Sequence, residues 1–248
     1  MDRMIYVAMS GAKETLIAQA SNSNNLANVN TPGFMEDLNQ FRSMPVFGQG
    51  YPTRVYALDE RPNINFDKGS MQSTGNPLDL AVKGDGYFAV QAADGSEAYT
   101  RRGDLKVDAN GLVTNGEGLP LIGNGGPIAL PPYERLEIAP DGTITILPEG
   151  ATPSALAIID RVKMVNPPMG ALVKGEEGLL RLKEGGEADA NANASTELVS
   201  GMIESSNINV ADALVNMIEL SRKFEMQVKM MKTAEDLDSA SASIMSMS

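Results

Sequence analysis

The two ends of this chain carry matching patterns that constrain everything between them. Residues 5 to 27 hold Ile5, Met9, Ala12, Leu16 and Leu26 at helical spacing, and residues 210 to 231 hold Val210, Leu214, Met217, Phe224, Val228 and Met231 at steps of four and three. Such spacing puts apolar side chains on one narrow stripe of an α-helix, the geometry of a coiled-coil seam. The long stretch between them is rich in Gly, Pro and short alternating runs, with no comparable stripe. The pattern predicts an α+β fold in which long N- and C-terminal helices pair as a coiled-coil-like domain, with an all-β domain inserted between them.

With 248 residues, 42% of them hydrophobic, the chain can bury a sizeable core. Its net charge of −12 is unevenly spread. Residues 1–35 sum to zero, the segment from 201 onward sums to −3, and the middle carries the remaining −9. An acidic body repels nucleic acid and anionic lipid, so neither is an expected partner. Near-neutral ends suit packing against copies of themselves.

The first helix is predicted from about Met4 to Val29, stopped by Asn30, Thr31, Pro32 and Gly33. Its second half holds five Asn residues at 22, 24, 25, 28 and 30, and Asn is a poor interior helix former because its amide competes for the backbone. Two readings stand: a frayed, solvated helix end, or a ladder of amide hydrogen bonds to other chains. Residues 36–70, broken by Pro45, Gly48, Gly50, Pro52 and Pro62, read as an extended connector with short strands. From Asp79 the grammar becomes that of hairpins, with strands at 80–82, 87–91, 98–100, 105–107, 112–114, 119–122, 136–139, 143–147, 157–165 and 179–182. The predicted organisation is therefore 1–35 and 201–248 as the two halves of a helical assembly domain, 36–70 as connector, and 71–200 as the all-β domain with a mobile loop near 184–196. Asn209 stands where it can cap the last helix, with Asp212 in its first turn.

The chain has no Cys and no His. Disulfides, thiolate metal sites and the usual Ser-His-Asp and Cys-His nucleophile systems are thereby excluded. Asp108-Ala109-Asn110-Gly111 reads as a β-turn, because a calcium loop would need a ligand where Leu112 stands and Gly where Val113 stands. Gly84-Asp85-Gly86 and Gly116-Glu117-Gly118 have no following helix and read as turns rather than phosphate cradles. A pair such as Glu97 and Asp104 is the sort of arrangement that could hydrolyse a glycosidic bond. That leaves a carboxylate-dependent hydrolase with oligomerising helices as the alternative to a non-catalytic subunit. No cofactor, metal or small-molecule substrate is expected. No run of apolar residues is long enough to span a bilayer, and the N-terminus lacks the pattern of a cleaved signal peptide.

The segment Asn24-Asn25-Leu26-Ala27-Asn28-Val29-Asn30-Thr31-Pro32-Gly33-Phe34 resembles the N-terminal signature shared by flagellar rod and hook proteins. Ser206-Asn207-Ile208-Asn209-Val210 through Met217-Ile218 is similar to their C-terminal one, and Gly75-Asn76-Pro77-Leu78-Asp79-Leu80-Ala81-Val82, followed by Gly84 to Phe88, to the middle-domain motif of the larger members. The opening Met1 to Tyr6 and the run Arg222 to Gln227 resemble the proximal-rod branch. Distal-rod and hook members more typically show Tyr where Phe224 stands and Asn where Gln227 stands. The resemblance implies an axial building block of the bacterial flagellum, exported unfolded through the flagellum-specific type III apparatus. It would be assembled with other rod subunits and copies of itself in the periplasm-spanning rod. On that reading the expected subunit interface comprises Ile5, Met9, Leu16, Asn24, Asn25, Leu26 and Asn28 at one end, and Val210, Leu214, Met217, Phe224, Val228 and Met231 at the other.

Overall fold

A computed structural model describes residues 2–45, 55–150, 152, 155–175, 177–183 and 196–246. The chain begins with helix α1 (Asp2–Ala27) and ends with helix α2 (Val210–Ser246). Between them run β1 (Asp37–Pro45), β2 (Val55–Ile64), β3 (Met71–Ser73), β4 (Leu80–Lys83), β5 (Tyr87–Gln91), β6 (Glu97–Thr100), β7 (Lys106–Val107), β8 (Val113–Thr114) and β9 (Ile122–Gly123). They are followed by β10 (Gly126–Pro127), β11 (Tyr133–Ile138), β12 (Thr143–Pro148), β13 (Ala157–Arg161), β14 (Met164–Val165), β15 (Leu172–Lys174), β16 (Leu180–Leu182), β17 (Glu197–Ser200) and β18 (Met202–Glu204). The fold is α+β, with an N-terminal helix, a C-terminal helix and an all-β region inserted between them.

Two compact units result. The first contains residues 1–29, 35–65 and 208–248, and the second 30–34 and 66–207. In the first unit α1 lies against α2 and against a ribbon formed by β1 and β2. That ribbon occupies the stretch read from sequence as a connector. Its strands pair antiparallel from Asp37 opposite Ile64 to Pro45 opposite Val55. Gly48, Gly50 and Pro52 lie outside the described residues. Helix α2 starts where Asn209 caps it: the side-chain oxygen accepts from the Ala211 N–H at 3.1 Å, and the amide donates to Asp212 at 2.7 Å. The helix runs fifteen residues past Met231, through a segment in which Lys232, Glu235, Leu237, Met245 and three Ala are good helix formers and the four Ser, two Asp and one Thr are not.

The second unit is organised around a five-stranded antiparallel sheet in the order β14-β5-β6-β16-β15 and a three-stranded sheet in the order β11-β12-β13. Leu80, Val82, Phe88, Val90, Leu121, Ile128, Ile144, Ile146, Val162 and Met164 fill its core and are almost wholly buried. Each such side chain contributes about 1.5–3 kcal/mol of transfer free energy. The hairpins β5–β6 and β11–β12 turn on the same short grammar. Asp94 accepts from the N–H and hydroxyl of Ser96, and Asp141 accepts from the N–H and hydroxyl of Thr143.

Five strands, β3, β10, β15, β17 and β18, fall where the sequence pattern offers none. β17 pairs antiparallel with β4, from Glu197 opposite Lys83 to Ser200 opposite Leu80, and β18 pairs with β3 from Met202 opposite Ser73. Residues 202–204, assigned by pattern to the C-terminal helical half, are thus strand in the β unit. The loop expected at 184–196 lies outside the described residues except for Thr196.

Candidate subunit-interface site

Helix α1 runs antiparallel to α2. The Thr15 hydroxyl lies 3.1 Å from the Gln227 side-chain oxygen, and seven residues further along α1 the Asn22 amide donates to the Ala213 carbonyl at 2.8 Å. On α2 the buried or half-buried residues from Ala213 to Ala234 are Ala213, Met217, Leu220, Phe224, Gln227, Met231 and Ala234, an unbroken alternation of four and three steps, followed only by Ser241. This is a narrow helix-packing stripe, and the bonds at Ala213 and Gln227 show that it faces α1. The buried positions on α1 are Ala8, Ala12, Glu14, Thr15, Ala18 and Asn25, four of them with small side chains and none with a large apolar one. Small residues there let a neighbouring backbone approach closely, which explains why the larger apolar side chains of α1 are not the ones buried.

The expected interface residues therefore divide. Met217, Phe224 and Met231 lie half-buried on the seam of α2, and Ile5 and Leu26 are half-buried on α1. Met9 (53% exposed), Leu16 (49%), Val210, Leu214 and Val228 point away from the pair into solvent. Tyr6, Val215, Ile218, Met226, Met230 and Leu237 join them there, unmarked by the sequence reading because they lie off its stripes. Reading apolarity alone selects the largest side chains, whereas the seam is built on Ala213, Leu220, Gln227 and Ala234.

The Asn-rich half of α1 is helical through Ala27, and its amides find partners inside the chain. Asn22 reaches the Ala213 carbonyl. Asn25, only 3% exposed, exchanges two hydrogen bonds with the main chain of Asp37 at the start of the ribbon. Asn28 donates to the Asn24 carbonyl at 3.0 Å and to its side-chain oxygen at 2.7 Å. Asn24 is exposed and Asn28 half-buried.

The segment that follows α1 is anchored in the β unit. Gly33 adopts φ +66°, a left-handed conformation that favours glycine, and a Cβ there would run into the Arg101–Arg102 peptide. Its N–H donates to the Glu204 carbonyl at 2.8 Å. The Glu204 carboxylate meets Arg101 Nε at 2.6 Å and accepts from the Gly69 N–H at 3.0 Å. The remaining Arg101 nitrogens donate to the carbonyls of Val82, Gly84 and Gly86, so a pair of charges only 4% and 3% exposed is fully hydrogen-bonded. No local pattern marks this knot, because its members stand at positions 33, 101 and 204 in a chain with many charged residues.

The carboxylates weighed as an acid pair are occupied in structural roles. Glu97 pairs with Lys163 at 2.7 Å. Asp104 receives a two-pronged contact from Arg102 at 2.7 and 3.0 Å, and Arg102 also meets Glu117 at 2.9 Å. Burial, reinforced by the nearby Glu97 carboxylate, pushes the Tyr99 phenol up to about 12. Residues 108–111 form a turn closed by the Gly111 N–H on the Asp108 carbonyl at 2.8 Å. Among the described residues no group of three or more acidic side chains is placed to hold a metal ion, and no helix is long and apolar enough to cross a membrane.

Comparison with known proteins accounts for this division of labour. Residues 5–34 match the family described as "Flagella basal body rod protein", residues 81–146 the "Flagellar hook protein FlgE/F/G D1 domain", and residues 199–244 the "Flagellar basal body rod FlgEFG protein C-terminal". The chain is 40% identical to the flagellar basal-body rod protein FlgF of Escherichia coli and 38% identical to that of Salmonella typhimurium, in both cases over the whole of both chains. The chain belongs to the flagellar basal-body rod protein family. It is a structural subunit of the proximal rod. A rod protein FlgG from Buchnera aphidicola is 30% identical over 94% of this chain and 96% of its own. The first and last matched segments of this rod subunit cover most of α1 and α2, and the signature glycine Gly33 is the residue seated on the Arg101–Arg102 peptide.

Proposed function

We propose that α1 and α2 form a coiled-coil-like pair whose outward apolar side chains bind neighbouring rod subunits and further copies of this chain. The pair then builds a periplasm-spanning shaft that transmits motor torque. One observation carries this reading: both helices of an already paired unit still turn large apolar side chains to solvent, Met9 and Leu16 on one and Leu214, Ile218 and Val228 on the other. Helices that have satisfied each other and remain apolar outside mark contact surfaces for other chains. Contacts of different faces, repeated head to tail, generate an open helical assembly rather than a closed ring. Asn25 acts indirectly, by holding α1 on the ribbon, and Met217, Phe224 and Met231 by holding the two helices together.

The subunit is proposed to reach its place through the flagellum-specific type III export apparatus. It acts without catalysis, cofactor or membrane insertion. The relatives named above are rod proteins, and the carboxylates that a hydrolase would use are paired with Lys163 and Arg102. The test is Leu16→Glu and Leu214→Glu, separately and together, with helix content, secretion and incorporation into basal bodies followed in parallel. Folded, exported and unincorporated subunits are expected. Normal incorporation of the double variant would remove these faces from the interface.

A further inference from the structure

From Ala213 to Ala234, six of the seven inward residues of α2 are apolar, and Gln227 is the exception. Its position is matched by a gap in the facing helix. An ideal Cβ on Gly11 would lie 2.8 Å from Gln227 Nε2 and 3.3 Å from its Cδ, so the amide fills the space that a side chain at position 11 would take. One turn further on, the Thr15 hydroxyl shares its proton between the Gly11 carbonyl at 2.8 Å and Gln227 Oε1 at 3.1 Å. A Gly in a helix interior is unfavourable relative to Ala, and a polar residue in an apolar seam lowers stability. Both costs fall at one point of contact.

We infer that Gly11, Thr15 and Gln227 form a register lock that selects this chain's own α1, in one alignment, as the helix accepted by the seam of α2. An apolar heptad seam is nearly unchanged when slid by seven residues, and such a slip would displace one helix by about 10 Å along the other. Any slip moves Gln227 off the Gly11 gap onto a bulkier residue and strips the amide of Thr15. The same mismatch rejects a foreign helix that lacks a Gly and a hydroxyl four residues apart at that level. The lock is a matter of pairing within the subunit and stands whether or not the outward faces bind neighbours. Its failure is therefore distinguishable from failure of the assembly reading.

The absence of Cys allows spin labels to be placed at Lys13→Cys and Lys229→Cys, both exposed, and the distance between them read in the full-length protein. The parent should give one narrow distribution. Lys13 and Lys229 stand at one level of the pair, so an axial slip of about 10 Å lengthens their separation by only a few ångström; Gln227→Leu should add that longer second population while the helical melting midpoint holds or rises, because an apolar side chain replaces a polar one. Thr15→Val, which keeps the shape and removes the hydroxyl, should broaden the distribution in the same sense. Gly11→Ala raises helix propensity and should still lose the parental distance. A single unchanged distance in Gln227→Leu and Gly11→Ala would overturn the lock. So would a lowered midpoint in Gln227→Leu with the distance retained, since that is the signature of packing alone.

Discussion

Asn25 and Asp37 hold each other through two hydrogen bonds that imitate a strand pairing: the Asn25 amide donates to the Asp37 carbonyl at 2.9 Å, and the Asp37 N–H donates to the Asn25 oxygen at 2.9 Å. A side-chain amide thereby satisfies the first main-chain groups of β1 and fixes the ribbon to α1. Asn25→Ala should destabilise the helical unit by about 1–3 kcal/mol, because it strands buried main-chain groups. Asn24→Ala should be neutral or slightly stabilising through helix propensity. Denaturant unfolding and the exchange rate of the Asp37 amide would check both. Equal effects at 24 and 25 would mean that the pairing contributes nothing.

The Arg101–Glu204 pair yields a sign test. Removing one partner of a buried ion pair costs about 3–5 kcal/mol, whereas replacing both by apolar groups is often neutral or stabilising. Glu204→Gln should lower the melting temperature of the β unit sharply. Arg101→Met with Glu204→Leu should recover part of the loss. Recovery will be incomplete, since three carbonyls and the Gly69 N–H lose their charged partners.

Acid sensitivity should concentrate at two hairpin turns. Asp94 is held below the usual carboxylate range by the Ser96 hydroxyl, the Arg181 guanidinium and the Ser96 N–H; Asp141 is held low by the Thr143 N–H and hydroxyl and by the charge of Arg161. A carboxyl with a depressed folded-state value contributes stability above its unfolded value of about 3.9, and loses it as pH falls through the folded value. The turns should thus be fully effective at neutral pH and fail only in strong acid. Carboxyl carbon chemical shifts followed from pH 6 downward should show both titrating late. Asp94→Asn and Asp141→Asn should remove that part of the pH dependence.

Phe224 is the largest side chain on the seam of α2 and is half-buried there. Phe224→Ala should cost about 2 kcal/mol in the helical unit, less than the roughly 3–5 kcal/mol of a fully buried ring. Circular dichroism at the helical minimum should register the loss. Near-ultraviolet signals from Tyr87 and Tyr99, both buried in the β unit, should not move. Equal loss in both signals would show that the ring's role is not confined to the helix pair.

The elements most visible in the sequence were those whose causes are local. Asn209 marks a helix start, the closely spaced runs 87–91 and 98–100, and 136–139 and 143–147, mark hairpins, and the matched terminal stripes mark a pair of helices. The seam was read half a face out of place. Helical spacing identifies a stripe, but its exact azimuth depends on where small residues such as Ala213 and Gly11 let backbones approach. The strands Glu197–Ser200 and Met202–Glu204 were missed for a different reason. Their alternation is short, and their partners, Leu80–Lys83 and Met71–Ser73, stand far away in the chain. The ion pair of Arg101 and Glu204 was equally hidden, because pairing between charges leaves no periodic trace.

The late strands have one more effect, on the order in which the molecule can come into being. β3 and β4 cannot complete their ladders until β17 and β18 are available, and Gly33 and Arg101 cannot be joined until Glu204 arrives. The five-stranded and three-stranded sheets use no residue beyond Leu182, so they can form before the last fifth of the chain, whereas β3, β4 and the Glu204 contacts must wait for it. Contacts of such long sequence separation slow folding. This wiring therefore gives the β unit an order of closure: its main sheets can set first, and the edge held by Gly33, Arg101 and Glu204 shuts last.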